Sequence, residues 1–347
     1  MYHLKHYSLP EKITSYRLQS IGNSFIASHT FPKLAELFSM DVEELRKIQQ
    51  RAHFVQYFVP KPNGGKRLIE TPSKEHQKIL KKLNLYLHGA YYSVKPASAY
   101  GSILSTADEV TPKNIYTNAL QHIGKKWLLH LDIKDFFHNI SSGRISEKLK
   151  KTPFKFNKTT ATFLSRFMTN QGHLPIGAST SPTMANIVCI EMDIELTNIC
   201  KEKGWTYTRY IDDLCFSGLK RFKKKEIETV KGILEKNQFR INKKKTQMVK
   251  IESEPVVTGL VLRSKKPDVS KKFITNLETD IKIYHELSSE RIQLRNIFPS
   301  YILKKFRDSI YGRINFLKFI RGEGHKSYLR LLRKFLPHDY RFLNMAF

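Results

Sequence analysis

The spacing of apolar and polar residues changes period several times along the chain, and each change predicts a different element. Residues 1–50 carry helical spacing, with a break at Phe31-Pro32 before Lys33-Leu34-Ala35-Glu36-Leu37-Phe38. Asp41, three residues before Glu44, is placed to cap a further short helix. From Phe54 the pattern becomes strand-like. Residues 54–59 and 66–70 flank Pro60-Lys61-Pro62-Asn63-Gly64-Gly65, and Asn-Gly-Gly between such runs predicts a hairpin. A helix is predicted over residues 73–89, followed by the loop Ala97-Ser98-Ala99-Tyr100-Gly101-Ser102.

Trp127-Leu128-Leu129-His130-Leu131-Asp132-Ile133 reads as a central strand. Residues 127, 129, 131 and 133 share one apolar face, and Leu128, His130 and Asp132 share the other. Asp132 thus ends a largely apolar strand, where an unpaired carboxylate would be costly. Further on, Leu174-Pro175-Ile176-Gly177-Ala178-Ser179-Thr180-Ser181-Pro182 is a Gly- and hydroxyl-rich loop opening a helix, with Ser181 suited to the N-cap, Pro182 to the first helical position and Gly204 to the far end. Such a helix start can face phosphate, although most loops of this kind only cap a helix. Tyr207-Thr208-Arg209-Tyr210-Ile211-Asp212-Asp213-Leu214-Cys215-Phe216-Ser217 predicts a tight hairpin with two adjacent aspartates at its tip. Like charges side by side repel, and a divalent cation bound by hard oxygen ligands removes that difficulty. A cation shared between Asp212 and Asp132 would satisfy both segments.

After the hairpin come a basic helix, Phe239-Arg240-Ile241-Asn242-Lys243-Lys244-Lys245-Thr246, and the strand-like run Val256-Val257-Thr258-Gly259-Leu260-Val261-Leu262. From about residue 268 apolar residues recur at helical intervals. Lys and Arg number 60 against 31 Asp and Glu, a net charge of +29; residues 220–347 hold 31 Lys and Arg against 13 Asp and Glu. A polyanionic partner follows, because each phosphate neutralised releases counterions. Nucleic acid is favoured over a membrane surface, since no apolar run approaches the roughly 20 residues of a spanning helix and no signal-peptide pattern opens the chain. Cys189, Cys200 and Cys215 form no C-x-x-C pair and permit neither a disulfide framework nor a cysteine zinc site. Free thiols in a reducing cytoplasm are expected.

Four separated segments stand in the order that reverse transcriptases show. Leu131-Asp132-Ile133-Lys134-Asp135-Phe136-Phe137 resembles their first catalytic motif, and residues 174–182 resemble the Leu-Pro-Gln-Gly-x-x-x-Ser-Pro loop. Tyr210-Ile211-Asp212-Asp213 resembles the Tyr-x-Asp-Asp hairpin, and Ile241-Asn242-x-x-Lys245-Thr246 the lysine motif that follows it. Residues 60–70 and Ala99-Tyr100-Gly101 are similar to fingers segments. Asn118-Ala119-x-x-His122 and Val257-Thr258-Gly259 resemble two extra motifs of retron reverse transcriptases. The resemblance covers about residues 50–265. Two positions depart from it: Ile176 stands where the family usually has Gln near the nucleotide sugar, and Ile211 where retron enzymes often have Ala.

The resemblance implies an α+β right-hand polymerase, with residues 1–50 an N-terminal helical segment, 51–265 fingers and palm, and 266–347 a basic helical thumb. It implies two Mg²⁺ ions on Asp132 and Asp212, with Asp213 assisting. Arg67, with Lys66, would reach the triphosphate of a deoxynucleotide. Alone, those two side chains read equally as solvated charges. Lys245 would lie near the leaving group, and Phe137 would exclude a ribose 2′-hydroxyl. Asn118, Ala119, His122, Val257, Thr258 and Gly259 would recognise a cognate non-coding RNA, although His122 read by itself is an ordinary surface or half-buried histidine. DNA synthesis would start from the 2′-hydroxyl of an internal guanosine and leave single-stranded DNA joined to RNA, often in antiphage defence with an accessory effector. The alternatives are a stand-alone or group II-intron-like enzyme using a 3′-hydroxyl primer, and an inactive RNA-binding scaffold.

Overall fold

The computed structural model describes residues 13–61, 64–288 and 300–336. They form two compact units, Met1–Ser253 and Glu254–Phe347. The first opens with helices Ser15–Ala27, Phe31–Leu37 and Val42–Arg51. Asp41 caps the third as its spacing predicts, its carboxylate accepting from the Glu44 amide at 2.6 Å. The previous helix ends at Ala27, and Phe31-Pro32 opens the next, because proline at the first turn forfeits no intrahelical bond.

Among the described residues the first unit contains six strands: β1 Phe54–Pro60, β2 Lys66–Pro72, β3 Trp127–Asp132, β4 Thr206–Tyr210, β5 Asp213–Gly218 and β6 Gln247–Lys250. β1 and β2 pair antiparallel as a separate two-stranded ribbon. The remaining four make one antiparallel sheet in the order β4-β5-β3-β6, so the apolar strand around Leu129 is central. Helices cover this sheet, and Leu129, Leu131, Leu214 and Phe216 join Leu83, Leu164 and Leu196 in a single core.

The predicted helix after β2 runs over Lys74–Tyr92 and crosses Ser15–Ala27 at a pair of glycines. A Cβ at Gly89 would stand 2.5 Å from the Gly22 amide nitrogen, and one at Gly22 would overlap the Gly89 carbonyl group. The two backbones therefore touch with no room for a methyl group. The predicted helix from 181 to 204 is two helices, Ser181–Val188 and Ile190–Lys203, hinged at Cys189. Its cap is displaced by one residue from expectation. Thr180 is the N-cap, and Ser181 turns its hydroxyl back to donate to the Pro175 carbonyl at 2.7 Å. Gly204 closes the second helix in the left-handed conformation, φ 68°.

The second unit holds β7 Val256–Val257, β8 Leu260–Leu262 and β9 Pro267–Asp268 in one antiparallel sheet, with helices Lys271–Ser288, Ser300–Arg321 and Lys326–Phe335. Residues 256–262 are a hairpin, not one strand. Thr258 (φ 48°) and Gly259 (φ 84°) both take positive φ, which suits the right-handed twist of a two-residue turn. Asp268 accepts from Arg321 at 2.7 and 2.9 Å, joining β9 to the long helix.

We expect Gly22→Ala and Gly89→Ala each to destabilise the first unit by about 1–3 kcal/mol, the usual range for overpacking a rigid contact. Chemical denaturation with an unchanged midpoint for both variants would refute this close approach.

Candidate active site

Strand register brings the three aspartates together. Asp132 on β3 lies directly opposite Asp213 on β5, while Asp212 occupies the turn and its carbonyl accepts from the Ile133 amide at 3.0 Å. The turn has two residues, and Ile211 takes φ 61°, a strained choice for a β-branched side chain. Asp132 is buried, at 5% exposure. Its carboxylate is met by Lys245 Nζ at 2.6 Å and by Asn242 Nδ2 at 3.2 Å, and its carbonyl accepts from the Asn242 amide at 2.7 Å. Lys245 belongs to the short turn Lys243–Lys245, held in place where Ile241 bridges to Ile133 beyond the end of β3. His130, two residues before Asp132 on the same face, places Nε2 3.5 Å from Asp213.

These contacts set the electrostatics. Burial, then the adjacent Asp213 charge, pushes the Asp212 carboxyl up to about 6. Lys245 is held above its usual range chiefly by its hydrogen bond to Asp132. Carboxylate oxygens crowded at one sheet end, one of them pushed toward its neutral form, are the donor set of a hard divalent cation. The residues present therefore fit such an ion.

Residues absent from the expected site hold the hairpin in place. Arg209, wholly buried on β4, forms a two-pronged ion pair with Asp193 on the helix behind the sheet: Nε–Oδ1 2.8 Å and Nη2–Oδ2 2.6 Å. Tyr207 donates to Asp193 at 2.8 Å. Arg209 Nη1 donates to Asn186 Oδ1 at 2.8 Å and to the Ile211 carbonyl in the turn at 3.1 Å. Asn186 in turn donates to the Gly101 carbonyl, and a Cβ at Gly101 would lie 2.7 Å from the Ile211 nitrogen. Burial opposes charge on Arg209, yet the Asp193 carboxylate outweighs it and keeps the guanidinium firmly protonated. The signal in the sequence was Arg209 sharing the inward register of Tyr207; the identity of its acidic partner was not legible.

The other expected residues are dispersed. Lys66 and Arg67 occupy the outer rungs of the β1–β2 ribbon, with Lys66 6.0 Å from the Phe58 ring centre. Phe137 is half-buried and packs edge-on against Phe136. Asn118 and Ala119 are buried on helix Ile115–Leu120. His122 is wholly buried, its ring nitrogens each 2.8 Å from a hydroxyl, Ser217 on β5 and Thr208 on β4. Burial drives its pKa down to about 3, so the ring is neutral, and an RNA contact by this ring is incompatible with its place in the core. Instead it clamps the two strands of the aspartate hairpin. Val257 is buried, whereas Thr258 and Gly259 form the turn between β7 and β8 in the second unit.

A family model described as reverse transcriptase (RNA-dependent DNA polymerase) matches residues 59–274. The retron Mx162 reverse transcriptase of Myxococcus xanthus is 29% identical over 276 residues, covering 68% of this chain and 53% of that protein. The retron Ec86 reverse transcriptase of Escherichia coli is 25% identical over 300 residues, covering 84% of this chain and 89% of that protein. The chain spans about half the length of the Myxococcus xanthus relatives it matches. Telomerase from Candida albicans, solved with a fragment of telomeric RNA, aligns with a TM-score of 0.44 at 14% identity over 83% of this chain and 64% of that one. The fold is α+β, of the right-hand polymerase class. The chain belongs to the reverse transcriptase family, among its retron-type members.

Asp193→Asn leaves the Arg209 charge buried without its partner, and we expect a loss of about 3–5 kcal/mol. The double change Asp193→Leu with Arg209→Met should recover much of that stability. Equal unfolding midpoints for the single variant and the wild type would show that the pair does not support the hairpin.

Proposed function

We propose that this chain is the RNA-directed DNA polymerase of a retron. The observation that carries the reading is the meeting of Asp132, Asp212 and Asp213 at one end of a single sheet, with Lys245 against Asp132. Reverse transcriptases generally use divalent metal ions. Asp132, Asp212 and Asp213 would hold Mg²⁺, which when bound stabilises the attacking and leaving oxygens of phosphoryl transfer. Lys245, largely exposed apart from its bond to Asp132, would serve the departing pyrophosphate. Lys66 and Arg67 offer positive charge to the triphosphate from the ribbon, and the Phe137 ring fills the space that a ribose 2′-hydroxyl would need. We read residues 1–50 as an N-terminal helical segment, 51–265 as fingers and palm, and the basic helices from 266 on as the thumb.

The substrate RNA is the finer part of the proposal. The net charge of +29 suits any nucleic acid, whereas selecting one RNA needs contacts to its folded shape or unpaired bases. Thr258 and Gly259, at the turn between β7 and β8, would contribute such contacts. Asn118, Ala119 and His122 would act by shaping the surface above them. The retron reading adds a 2′-hydroxyl primer on an internal guanosine, a branched RNA-linked single-stranded DNA product, and a place in antiphage defence beside an accessory effector. Its support is the pair of retron-like motifs and the retron relatives. No helix among the described residues is long and apolar enough to cross a membrane. Cys189, Cys200 and Cys215 are all buried free thiols, in keeping with our assignment to a reducing cytoplasm.

Asp132→Asn and Asp212→Asn should each lower primer extension by more than about a hundredfold, as expected when a charge-stabilising group is lost, while RNA remains bound. Near wild-type extension by either variant refutes the site. Phe137→Ala should raise ribonucleotide incorporation relative to deoxynucleotides in direct competition. With the encoded RNA as template, the wild-type DNA should stay joined to RNA until a 2′–5′ debranching enzyme is added. Free DNA without that treatment would favour a 3′-hydroxyl primer and leave the polymerase reading intact.

A further inference from the structure

A second cluster of ligating side chains lies in the first unit and has no part in the chemistry above. Glu70 on β2 is fully buried. Its Oε1 accepts from Asn170 Nδ2 at 2.6 Å and Gln56 Nε2 at 3.2 Å, which fixes the plane of the carboxylate. Its Oε2 faces two imidazoles, with His173 Nε2 at 3.2 Å and His138 Nε2 at 3.9 Å. The two rings stack, centres 4.5 Å apart and planes 25° from parallel. One donor atom from each residue lies within 4.8 Å of the other two.

Two imidazoles and one carboxylate form a donor set suited to Zn²⁺ and similar transition metals rather than to Mg²⁺, whose preference is for oxygen. Ligands at about 2.0–2.2 Å in a tetrahedron stand roughly 3.3–3.5 Å apart. The two oxygen–nitrogen distances, 3.2 and 3.9 Å, straddle that range, and the stacked rings would have to tilt toward each other for both Nε2 lone pairs to meet at one ion. The amides on Oε1 supply the outer hydrogen bonds that orient a ligating carboxylate. Burial raises the Glu70 pKa, but hydrogen bonds from Asn170, Gln56 and His173 outweigh it and keep the carboxyl below its usual range. Burial and then His173 hold the His138 pKa below its usual range.

We propose that Glu70, His138 and His173 bind one divalent transition-metal ion of the Zn²⁺ type, at a site separate from the three aspartates. Three segments meet there. Glu70 belongs to the ribbon that carries Lys66 and Arg67, His138 follows Phe137, and His173 leads directly into the loop at 174–182. The ribbon already donates from the Glu70 amide to the Ile176 carbonyl at 2.8 Å, so a metal would reinforce an existing junction. The site would be structural, holding the ribbon against the loop.

The test uses the purified full-length chain, stripped with chelator and titrated with Zn²⁺, with Co²⁺ as the spectroscopic probe. The expected result is one equivalent retained after desalting, tetrahedral Co²⁺ absorption, and a higher unfolding temperature with Zn²⁺. Uptake should persist in the Asp132→Asn, Asp212→Asn double variant, which separates this site from the proposed catalytic one. It should fall at least tenfold in affinity in His138→Ala, a change at a partly exposed position, and also in His173→Ala. Glu70→Gln, which keeps the side-chain shape, should lose binding as well. Absence of stoichiometric uptake, uptake unchanged in both histidine variants, or loss of uptake in the aspartate variant would overturn the proposal. So would a His173→Ala variant whose lower unfolding temperature is matched by a wild type insensitive to Zn²⁺, since the cluster would then be a hydrogen-bonded tether alone.

Discussion

The buried pairing of Arg209 with Asp193 is the interaction on which the aspartate hairpin depends. A guanidinium inside a protein is tolerated only when its charge and its donors are met, and here all three of its nitrogens find acceptors. Asp193 takes one edge, while Asn186 and the Ile211 carbonyl take Nη1. Because one of those acceptors is the turn itself, the salt bridge fixes the backbone that presents Asp212 and Asp213. It also helps to account for the positive φ of Ile211, a conformation that persists only where the surroundings over-determine it.

Around that anchor, the chain accumulates negative charge at one sheet end. The antiparallel register puts Asp132 against Asp213 on neighbouring strands, and the turn adds Asp212. Lys245 offsets only part of this charge, as the raised Asp212 pKa records. Such an arrangement is unfavourable for folding by itself, and its stability is secured elsewhere, in the Arg209 network and in the His122 clamp across β4 and β5. Local cost combined with rigid support is what a cation-binding site requires.

The Glu70 cluster obeys the same rule with different chemistry. A carboxylate is buried, its amide neighbours fix its plane, and its remaining oxygen is left facing two imidazoles. Gly177, at φ 137°, lets the loop run close to β2; a Cβ there would stand 2.9 Å from the Glu70 carbonyl oxygen. Backbone contact and side-chain cluster thus join the ribbon to the loop at the same point.

Local rules in the sequence determined much of this protein. The strand around Leu129, the hairpin that carries Asp212 in its turn and Asp213 at the start of its second strand, the β1–β2 ribbon and the Asp41 cap all follow from short-range periodicity and turn chemistry, which act within a few residues. The order of the separated motifs pointed to the family. What tertiary structure decided were pairings across long separations. Arg209 finds Asp193 in a helix behind the sheet, Asn242 reaches back to Asp132, and Glu70 meets histidines from two later segments. His122 shows the difference most directly. Its spacing before β3 suggested an accessible motif residue, yet Thr208 and Ser217 draw it into the core because a buried imidazole is stable wherever both of its nitrogens are hydrogen-bonded. Nothing in the sequence near residue 122 contains that information, since the partners that satisfy the ring lie on strands folded over it from 86 and 95 residues away.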